Sequence, residues 1–214
     1  MFLVEFHRAH PGITRRALGP ASYDRLAALV RDRSPVLDLG CDGEPIGHYG
    51  IDLASGPIRA RAEQLPFADG AFGAVVSHLS FMLFDAEAVA REIDRVLAPG
   101  GMFAAVLGGG PTADGDDAFH RFLRVRGDAA PRLRVDRRAT SEAGWRALFP
   151  SYAIAFERLV IDRSGTFDEV FDRLAFHYEH DEAYRAPLRA LCPEPIVPLQ
   201  IVVWIATAQV KAPR

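Results

Sequence analysis

A short apolar strand that runs into a glycine-containing turn constrains this 214-residue chain more than any other feature. Residues 36–43 read VLDLGCDG, in which apolar residues surround an acid and glycines follow. In a parallel α/β sheet, a nucleotide-like ligand meets the carboxyl ends of the strands at such a turn. Glycine lets the backbone approach that ligand because it has no Cβ. The pattern also fits an ordinary loop, so the segments that follow must decide between a ligand site and a plain turn.

Three later segments favour the ligand site. Residues 51–53 read IDL, residues 61–76 read RAEQLPFADGAFGAVV, and residues 92–101 read EIDRVLAPGG before the apolar run 102–107. In this order the segments resemble the class I S-adenosylmethionine-dependent methyltransferases that modify small molecules, over residues 34–108. The resemblance implies a Rossmann-like α/β methyltransferase fold, with a mostly parallel sheet and an antiparallel last strand. It also implies S-adenosylmethionine as the cofactor.

Two connections in this half of the chain are too short for the resembled family. Parallel strands need a crossover of about a dozen residues, usually a helix. Only seven residues separate Gly43 from Ile51, and the gap from Leu53 to Ile58 is shorter still. No ordinary helix fits in either gap. We therefore predict that the two helices on the cofactor side are reduced or absent.

The resemblance implies a set of cofactor-binding residues at the ends of the strands. Asp38, Gly40 and Cys41 would lie in the glycine turn, and Asp52 and Leu53 beside the ribose. Ala62 and Glu63 would lie beside the adenine, and His78 and Leu79 beside the reactive centre. Two of these residues have an alternative interpretation that involves no ligand. Asp52 also fits a solvated turn carboxylate, and Cys41 fits a packed thiol.

His78 is the predicted catalytic residue. Methyl transfer mainly requires alignment of the reacting atoms, and a general base helps only where the acceptor must lose a proton. Of the seven histidines, His78 has the best placement for a base, at the carboxyl end of a central strand. A polar surface histidine is the alternative. No metal site is predicted, because Cys41 and Cys192 do not have the spacing of metal ligands.

The glycine turn departs from the family pattern. The second and third glycine positions fall on Asp42 and Glu44, unless a deletion lets Gly43 replace the second. Carboxylates at these positions would repel the carboxylate of the ligand. Methyl transfer to an O, N or C atom of a small molecule is the predicted function. The alternative is a methyltransferase-fold protein that has lost catalysis and serves as a binding or partner subunit.

The length predicts a single methyltransferase-like domain over residues 1–214. Within it we predict an N-terminal cap segment at residues 1–31, where Ser22 is the N-cap of a helix, and a lid-like insertion at residues 110–149. The arginines of the insertion fit either a basic lid for an acidic substrate or a solvated helix face.

Charge and hydropathy limit the partners. The net charge of −3 provides no general attraction to nucleic acid, which speaks against an RNA methyltransferase. No apolar run is long enough to span a membrane and the first residues do not resemble a signal peptide, so the sequence predicts a cytoplasmic protein without a membrane partner. The missing helices leave apolar surface to be covered. We expect the cover to come from the N-terminal segment with Phe2 and Phe6, from the insertion, or from a second copy in a homodimer.

Overall fold

Seven strands form one mixed sheet at the centre of the chain. The computed structural model describes residues 9–10, 12–109, 115–127, 135–178 and 182–210. The strands in these residues are β1 (Val36–Leu39), β2 (Tyr49–Asp52), β3 (Ile58–Arg59), β4 (Phe72–His78), β5 (Leu97–Gly108), β6 (Tyr152–Asp162) and β7 (Gln200–Val210).

The strands lie in the order β3-β2-β1-β4-β5-β7-β6. The first five run parallel to one another, with Leu37 opposite Val75 at the centre of the sheet. β7 runs antiparallel to both β5 and β6. The predicted mostly parallel sheet with an antiparallel last strand is confirmed.

Helices flank the sheet on both faces and at its carboxyl edge. They are α1 (Ile13–Leu18), α2 (Ala21–Leu29), α3 (Ala86–Val96), α4 (Ala118–Arg126), α5 (Glu142–Leu148), α6 (Phe167–Tyr178) and α7 (Arg185–Leu191). Asp85 and Ser141 are the N-caps of α3 and α5, since their side chains accept hydrogen bonds from backbone amides of the first turn. Among the described helices, none is long and apolar enough to cross a membrane.

The two short connections contain no helix, as predicted. The chain from β1 to β2 folds back across β1, so that a Cβ on Gly47 would lie 2.6 Å from the Cβ of Val36. The chain from β2 to β3 is a bend of five residues, from Leu53 to Pro57. The cofactor half of the sheet is therefore reduced to strands and close turns.

The chain itself covers both faces of the sheet. Leu18 of α1 and Leu26 of α2 pack on the face that carries Val76 and Val106. α3 and α5 pack on the opposite face. Because successive side chains of a strand point to opposite faces of the sheet, each strand contributes apolar residues to both layers. The homodimer stays a prediction, but the apolar surface that motivated it is covered here by α1 and α2. Phe2 and Phe6 lie outside the described residues.

The predicted role of Ser22 as an N-cap is wrong. Helix α2 begins at Ala21 with Pro20 as its N-cap, two residues earlier than an N-cap at Ser22 implies. Ser22 is fully buried within the first turn, and its hydroxyl forms a hydrogen bond with the ring of His78 instead. The sequence showed a residue type that favours caps, but a partner 56 positions away determines where the hydroxyl points.

The segment predicted as a lid-like insertion, residues 110–149, is described in part. Its end is part of the core, since Trp145 and Phe149 of the α5 region are buried and pack against Phe103 of the sheet. Residues 110–114 and 128–134 lie outside the described residues. A lid role for the remainder stays a prediction.

A second apolar cluster joins α1, α4, α6 and α7. Its buried members include Ile13, Phe122, Phe171 and Leu188. Arg121 lies at its border, where its guanidinium forms an ion pair with Glu194 at 2.7 Å. This cluster brings the helices that follow β5 and β6 next to the first helix of the chain, beside the carboxyl end of β5.

Candidate functional site

A cavity of about 320 Å³ opens at the carboxyl ends of β1, β2 and β4. The structure brings to its wall every residue predicted to bind a cofactor. These residues are Asp38, Gly40, Cys41, Asp52, Leu53, Ala62, Glu63, His78 and Leu79. Their convergence follows from the parallel order of the strands, which places successive strand ends at one edge of the sheet. We call this the strand-end cavity; the binding role of each residue stays a prediction.

Asp38 carries an unsatisfied oxygen into the cavity wall. Its side chain is only 2% exposed. The Oδ2 atom accepts a hydrogen bond from the backbone N–H of Ile46 at 2.9 Å, whereas Oδ1 has no hydrogen-bond partner among the described residues. Burial raises the pKa of this carboxyl to about 7, and the charge of Asp52 adds to the rise. A buried polar atom without a partner is costly, so this oxygen is suited to receive a donor from a ligand.

In the glycine turn, the backbone conformation at Gly40 requires glycine. The two carboxylates of the turn, from Asp42 and Glu44, are held by hydrogen bonds and by an ion pair. Gly40 has φ 72°, and a Cβ there would lie 2.6 Å from the Cβ of Ser80. Asp42, in the position of a family glycine, accepts hydrogen bonds from the Gly12 N–H at 3.0 Å and the Ser55 hydroxyl at 3.3 Å. Glu44 forms an ion pair with Arg15 at 3.1 Å. Partners from the first helix region therefore offset part of the expected repulsion.

Asp52 is held by backbone amides on both oxygens. Its Oδ1 accepts from Ala54 N at 2.6 Å and Ser55 N at 3.2 Å, and its Oδ2 accepts from Asp42 N at 3.2 Å. These bonds fit the interpretation of Asp52 as a turn carboxylate. A carboxylate has about four acceptor sites, so Asp52 retains one for a hydroxyl of a ligand.

His78 is enclosed by the N-terminal helices. Its Nε2 lies 2.9 Å from the Ser22 hydroxyl, and its ring stacks on Tyr23 with centroids 3.7 Å apart. Arg15 lies 4.0 Å over the same Tyr23 ring, and two groups this close occupy opposite faces of the ring. Burial lowers the pKa of His78 to about 3, and the charge of Arg15 contributes. The catalytic role stays a prediction, but this environment favours positioning over proton transfer because the imidazole is a weak base.

The remaining wall is mostly apolar. Ala62 is buried and Leu53 is 40% exposed at the mouth, while Glu63 is paired with Arg61 at 3.4 Å. Burial raises the pKa of Cys41 to about 11, so its thiol is neutral at pH 7 and fits the packed-thiol interpretation.

Sequence reasoning missed several residues of this wall. They are Thr14, Tyr23, Ser80, Leu83 and Phe84. The last three come soon after β4 in the sequence, and their place behind a strand that was predicted to end at the site is a signal that could have found them. Thr14 and Tyr23 carried no such signal, because they lie on helices whose position over the strand ends is a long-range contact.

The comparisons with known proteins agree with this architecture. Residues 44–105 match the family described as methyltransferase domain, which confirms the resemblance to class I methyltransferases. No curated protein sequence matches the chain at a significant level.

Solved structures with the same fold have low sequence identity to the chain. The YcgJ protein from Bacillus subtilis has 18% identity and a TM-score of 0.55, covering 90% of this chain and 99% of its own. A SAM-dependent methyltransferase from Thermotoga maritima has 12% identity and a TM-score of 0.55, covering 99% of this chain and 100% of its own. Geranyl diphosphate C-methyltransferase from Streptomyces coelicolor A3(2) has 11% identity and a TM-score of 0.51, covering 89% and 80%. At such identities the likeness shows the fold alone.

Proposed function

We propose that this chain, whose residues 44–105 match a methyltransferase domain, transfers a methyl group from S-adenosylmethionine to a small-molecule acceptor. The observation that carries the proposal is the unpartnered Oδ1 of Asp38, which lies buried in the wall of the strand-end cavity. The amino group of S-adenosylmethionine would supply the hydrogen-bond donor that this oxygen lacks. A cavity of about 320 Å³ lies in the range of small-molecule sites.

The proposal gives each part of the cavity a binding role. Asp38 receives the amino group, and Asp52 accepts from a ribose hydroxyl with its remaining acceptor site. Ala62 and Leu53 provide an apolar surface for the adenine, with Glu63 at its edge. When bound, S-adenosylmethionine supplies a methyl group already activated by a positively charged sulfur, so the protein need only align the acceptor and exclude water.

His78 has a positioning role in this proposal. Its neutral ring, fixed between Ser22 and Tyr23, keeps the first helices against the strand-end cavity. Asp42 and Glu44 tie the same helices to the glycine turn from the other side. The N-terminal helices thus take over the enclosing role of the missing ones.

The first test is titration calorimetry with S-adenosylmethionine. We expect binding to the native chain, and we expect Asp52→Asn to weaken it by about 1.5–3 kcal/mol, the range for a hydrogen bond to a charged group. Asparagine retains an oxygen for the Ala54 and Ser55 amides but cannot accept from the Asp42 N–H, so circular dichroism must show that the variant keeps the native fold. Asp69→Asn removes an exposed carboxylate away from the cavity and is the matched control. No detectable binding to the native chain at millimolar ligand would instead support the partner-subunit alternative.

A second prediction concerns the charge of the ligand. The cavity wall carries four carboxyl groups, from Asp38, Asp42, Asp52 and Glu63, against the single guanidinium of Arg61 among its described residues. This excess favours a cation. We therefore expect S-adenosylmethionine to bind more tightly than S-adenosylhomocysteine, which lacks the sulfonium charge. The difference should shrink as salt is added during competition titrations. Tighter binding of S-adenosylhomocysteine at every salt concentration would contradict the assigned electrostatics.

A further inference from the structure

A second cavity, of about 160 Å³, adjoins the strand-end cavity. Leu79 and Leu83 line both cavities. Leu79 follows β4 directly and has φ 57°, a left-handed conformation that is rare for a bulky residue. A strained backbone of this kind persists where the surrounding structure enforces it, often at functional sites. Here the strain lies at the junction, so a molecule in the second cavity would lie beside one in the strand-end cavity.

The second cavity has an apolar lining. Leu18 of α1, Phe119 of α4, Leu174 of α6 and Val203 of β7 contribute to it. Its described lining contains no charged side chain, and Gln200 is the only residue there with a polar one. We call it the apolar cavity. A charged ligand would lose its hydration in this cavity without gaining an opposite charge, which is costly.

Two ionisable groups lie just behind this lining and are bonded to each other. The Nδ1 atom of His120 lies 2.6 Å from Oδ1 of Asp117, and Oδ2 of Asp117 accepts from the backbone N–H of Gln200 at 2.7 Å. Neither group belongs to the described lining. The pair is neutral when the imidazole is protonated and negative when it is not. It therefore provides no net positive charge for an anionic ligand.

The arginines next to lining residues in the sequence have other partners or face solvent. Arg173, beside Leu174 in α6, donates to the carbonyls of Arg163 and Ser164 at 2.7 and 3.0 Å. Arg16, beside Ala17 in α1, is exposed. These guanidinium groups do not reach the described lining.

The charges of the neighbouring segments also disfavour an anion. Arg121, Arg124 and Arg138, in the segment predicted as a lid, each form an ion pair with a carboxylate at 2.7–2.8 Å. Their charge is already compensated and adds little attraction for an acidic substrate. On the other side of the junction, the strand-end cavity has an excess of carboxyl groups. An anion at the junction would meet these carboxyl groups at short range.

The size of the apolar cavity suits a compact molecule. An engineered apolar cavity of about 150 Å³ in another protein binds benzene. A volume of about 160 Å³ therefore accommodates one ring with a small substituent.

From the lining, the volume and the charges around the junction, we propose that the apolar cavity is the acceptor site and takes a compact uncharged molecule, about one ring in size, in preference to an ion of the same shape. This inference rests on the proposed function and names its substrate class. In the transfer, an electron pair of the acceptor forms the bond to the methyl carbon, the carbon–sulfur bond breaks, and its electron pair stays on sulfur. A proton carried by the reacting atom ends in the solvent.

Three probes with one ring and different charges test the preference. Benzyl alcohol is uncharged at pH 7, benzoate is an anion and benzylamine is a cation. In NMR titrations we expect the chain to bind benzyl alcohol about tenfold or more tightly than either ion, because neither ion finds an opposite charge in the described lining. Equal or tighter binding of benzoate or benzylamine would overturn the proposal.

The same titration with saturating S-adenosylmethionine tests where the probe binds. The affinity for benzyl alcohol should not fall, because the two cavities are adjacent and separate. Competition between the probe and S-adenosylmethionine would place the probe in the strand-end cavity and contradict the assigned acceptor site.

Gly108 provides a variant that blocks the apolar cavity alone. It lines this cavity and not the strand-end cavity, and a Cβ there would have Met82 Cε as its nearest neighbour, at 3.8 Å. Gly108→Val therefore fills cavity space without a backbone clash at Cβ. We expect it to weaken binding of benzyl alcohol about tenfold or more, since a single methylene in an apolar pocket changes discrimination by about 10- to 200-fold. Gly108→Ala should have a smaller effect.

Ala155→Val is the matched control. Ala155 is exposed on the edge strand β6 and lines neither cavity, so this variant should bind benzyl alcohol like the native chain. Native affinity in Gly108→Val as well would show that the probe binds elsewhere, and the proposal would be wrong.

Calorimetry with S-adenosylmethionine separates this inference from the proposed function. Both Gly108 variants should keep native S-adenosylmethionine affinity. A native chain that binds S-adenosylmethionine but not benzyl alcohol would overturn the inference and leave the proposed function intact. A chain that binds benzyl alcohol but not S-adenosylmethionine would contradict the proposed function, and the apolar cavity would then be a ligand site without a role as an acceptor site.

Discussion

Asp38→Asn is expected to weaken S-adenosylmethionine binding by about 10- to 150-fold, the equivalent of losing a hydrogen bond to a charged group, while it stabilises the ligand-free protein above pH 7. The two effects have one cause. The carboxylate is buried with Oδ1 unpartnered, so its charge opposes folding until a cationic group of the ligand arrives.

The sign of the stability effect follows from the pKa. Burial raises the pKa of Asp38 from 3.8 to about 7 in the folded protein. Stability is therefore lost as the pH rises from the unfolded value through the folded value, by about 4 kcal/mol at 1.36 kcal/mol per pKa unit. The amide of asparagine carries no charge to desolvate, although its unpaired N–H₂ costs about 1–3 kcal/mol.

Urea unfolding at a series of pH values checks this prediction. The stability of Asp38→Asn relative to the native chain should increase between pH 4 and pH 7 and stay level above that. Asp24→Asn, at an exposed position of α2, is the control and should show no such trend. Titration with S-adenosylmethionine should show native affinity falling below pH 7, as Asp38 gains a proton, and a flat profile for Asp38→Asn. A pH-independent stability difference would mean that Asp38 is ionised at low pH and accepts a donor that the structure does not reveal.

Trp145→Ala is expected to destabilise the fold by about 3–5 kcal/mol, as for other buried tryptophans. Trp145 is fully buried. Its ring stacks on Phe103 with centroids 5.1 Å apart and lies edge-on to Phe81, and its Nε1–H donates to the carbonyl of Ala139 at 2.8 Å. Truncation leaves a cavity between α5 and the sheet and also an unpaired carbonyl.

The second tryptophan of the chain is the matched control. Trp204 of β7 is only partly buried, and the centroid of its ring lies 6.4 Å from the centroid of the Phe156 ring. Trp204→Ala should cost less, because less apolar surface is removed from contact. Denaturant unfolding of both variants gives the comparison. If Trp145→Ala left stability unchanged and altered only the KM of an acceptor, Trp145 would belong to a movable lid and not to the core.

The sequence by itself determined the features that depend on neighbouring residues. The apolar run into Gly40, the acid at Asp52 and the segment EIDRVLAPGG at residues 92–101 are local patterns, and they predicted the strands and their order through the family resemblance. The missing helices could be predicted for the same reason. Seven residues between Gly43 and Ile51 cannot form a helical crossover of ordinary length, whatever the rest of the chain does.

Tertiary structure alone decided the chemistry of the site. Ser22 and Tyr23 enclose His78 from 56 and 55 positions away, and this burial lowers the pKa of the residue that the sequence predicts as the base. The pKa of Asp38 depends on burial in the same way. A second cavity is lined by Leu18 of α1, Phe119 of α4, Leu174 of α6 and Val203 of β7, which are far apart in the sequence. Protonation and cavity shape depend on which distant groups exclude water from a side chain, and no local pattern in the sequence records that.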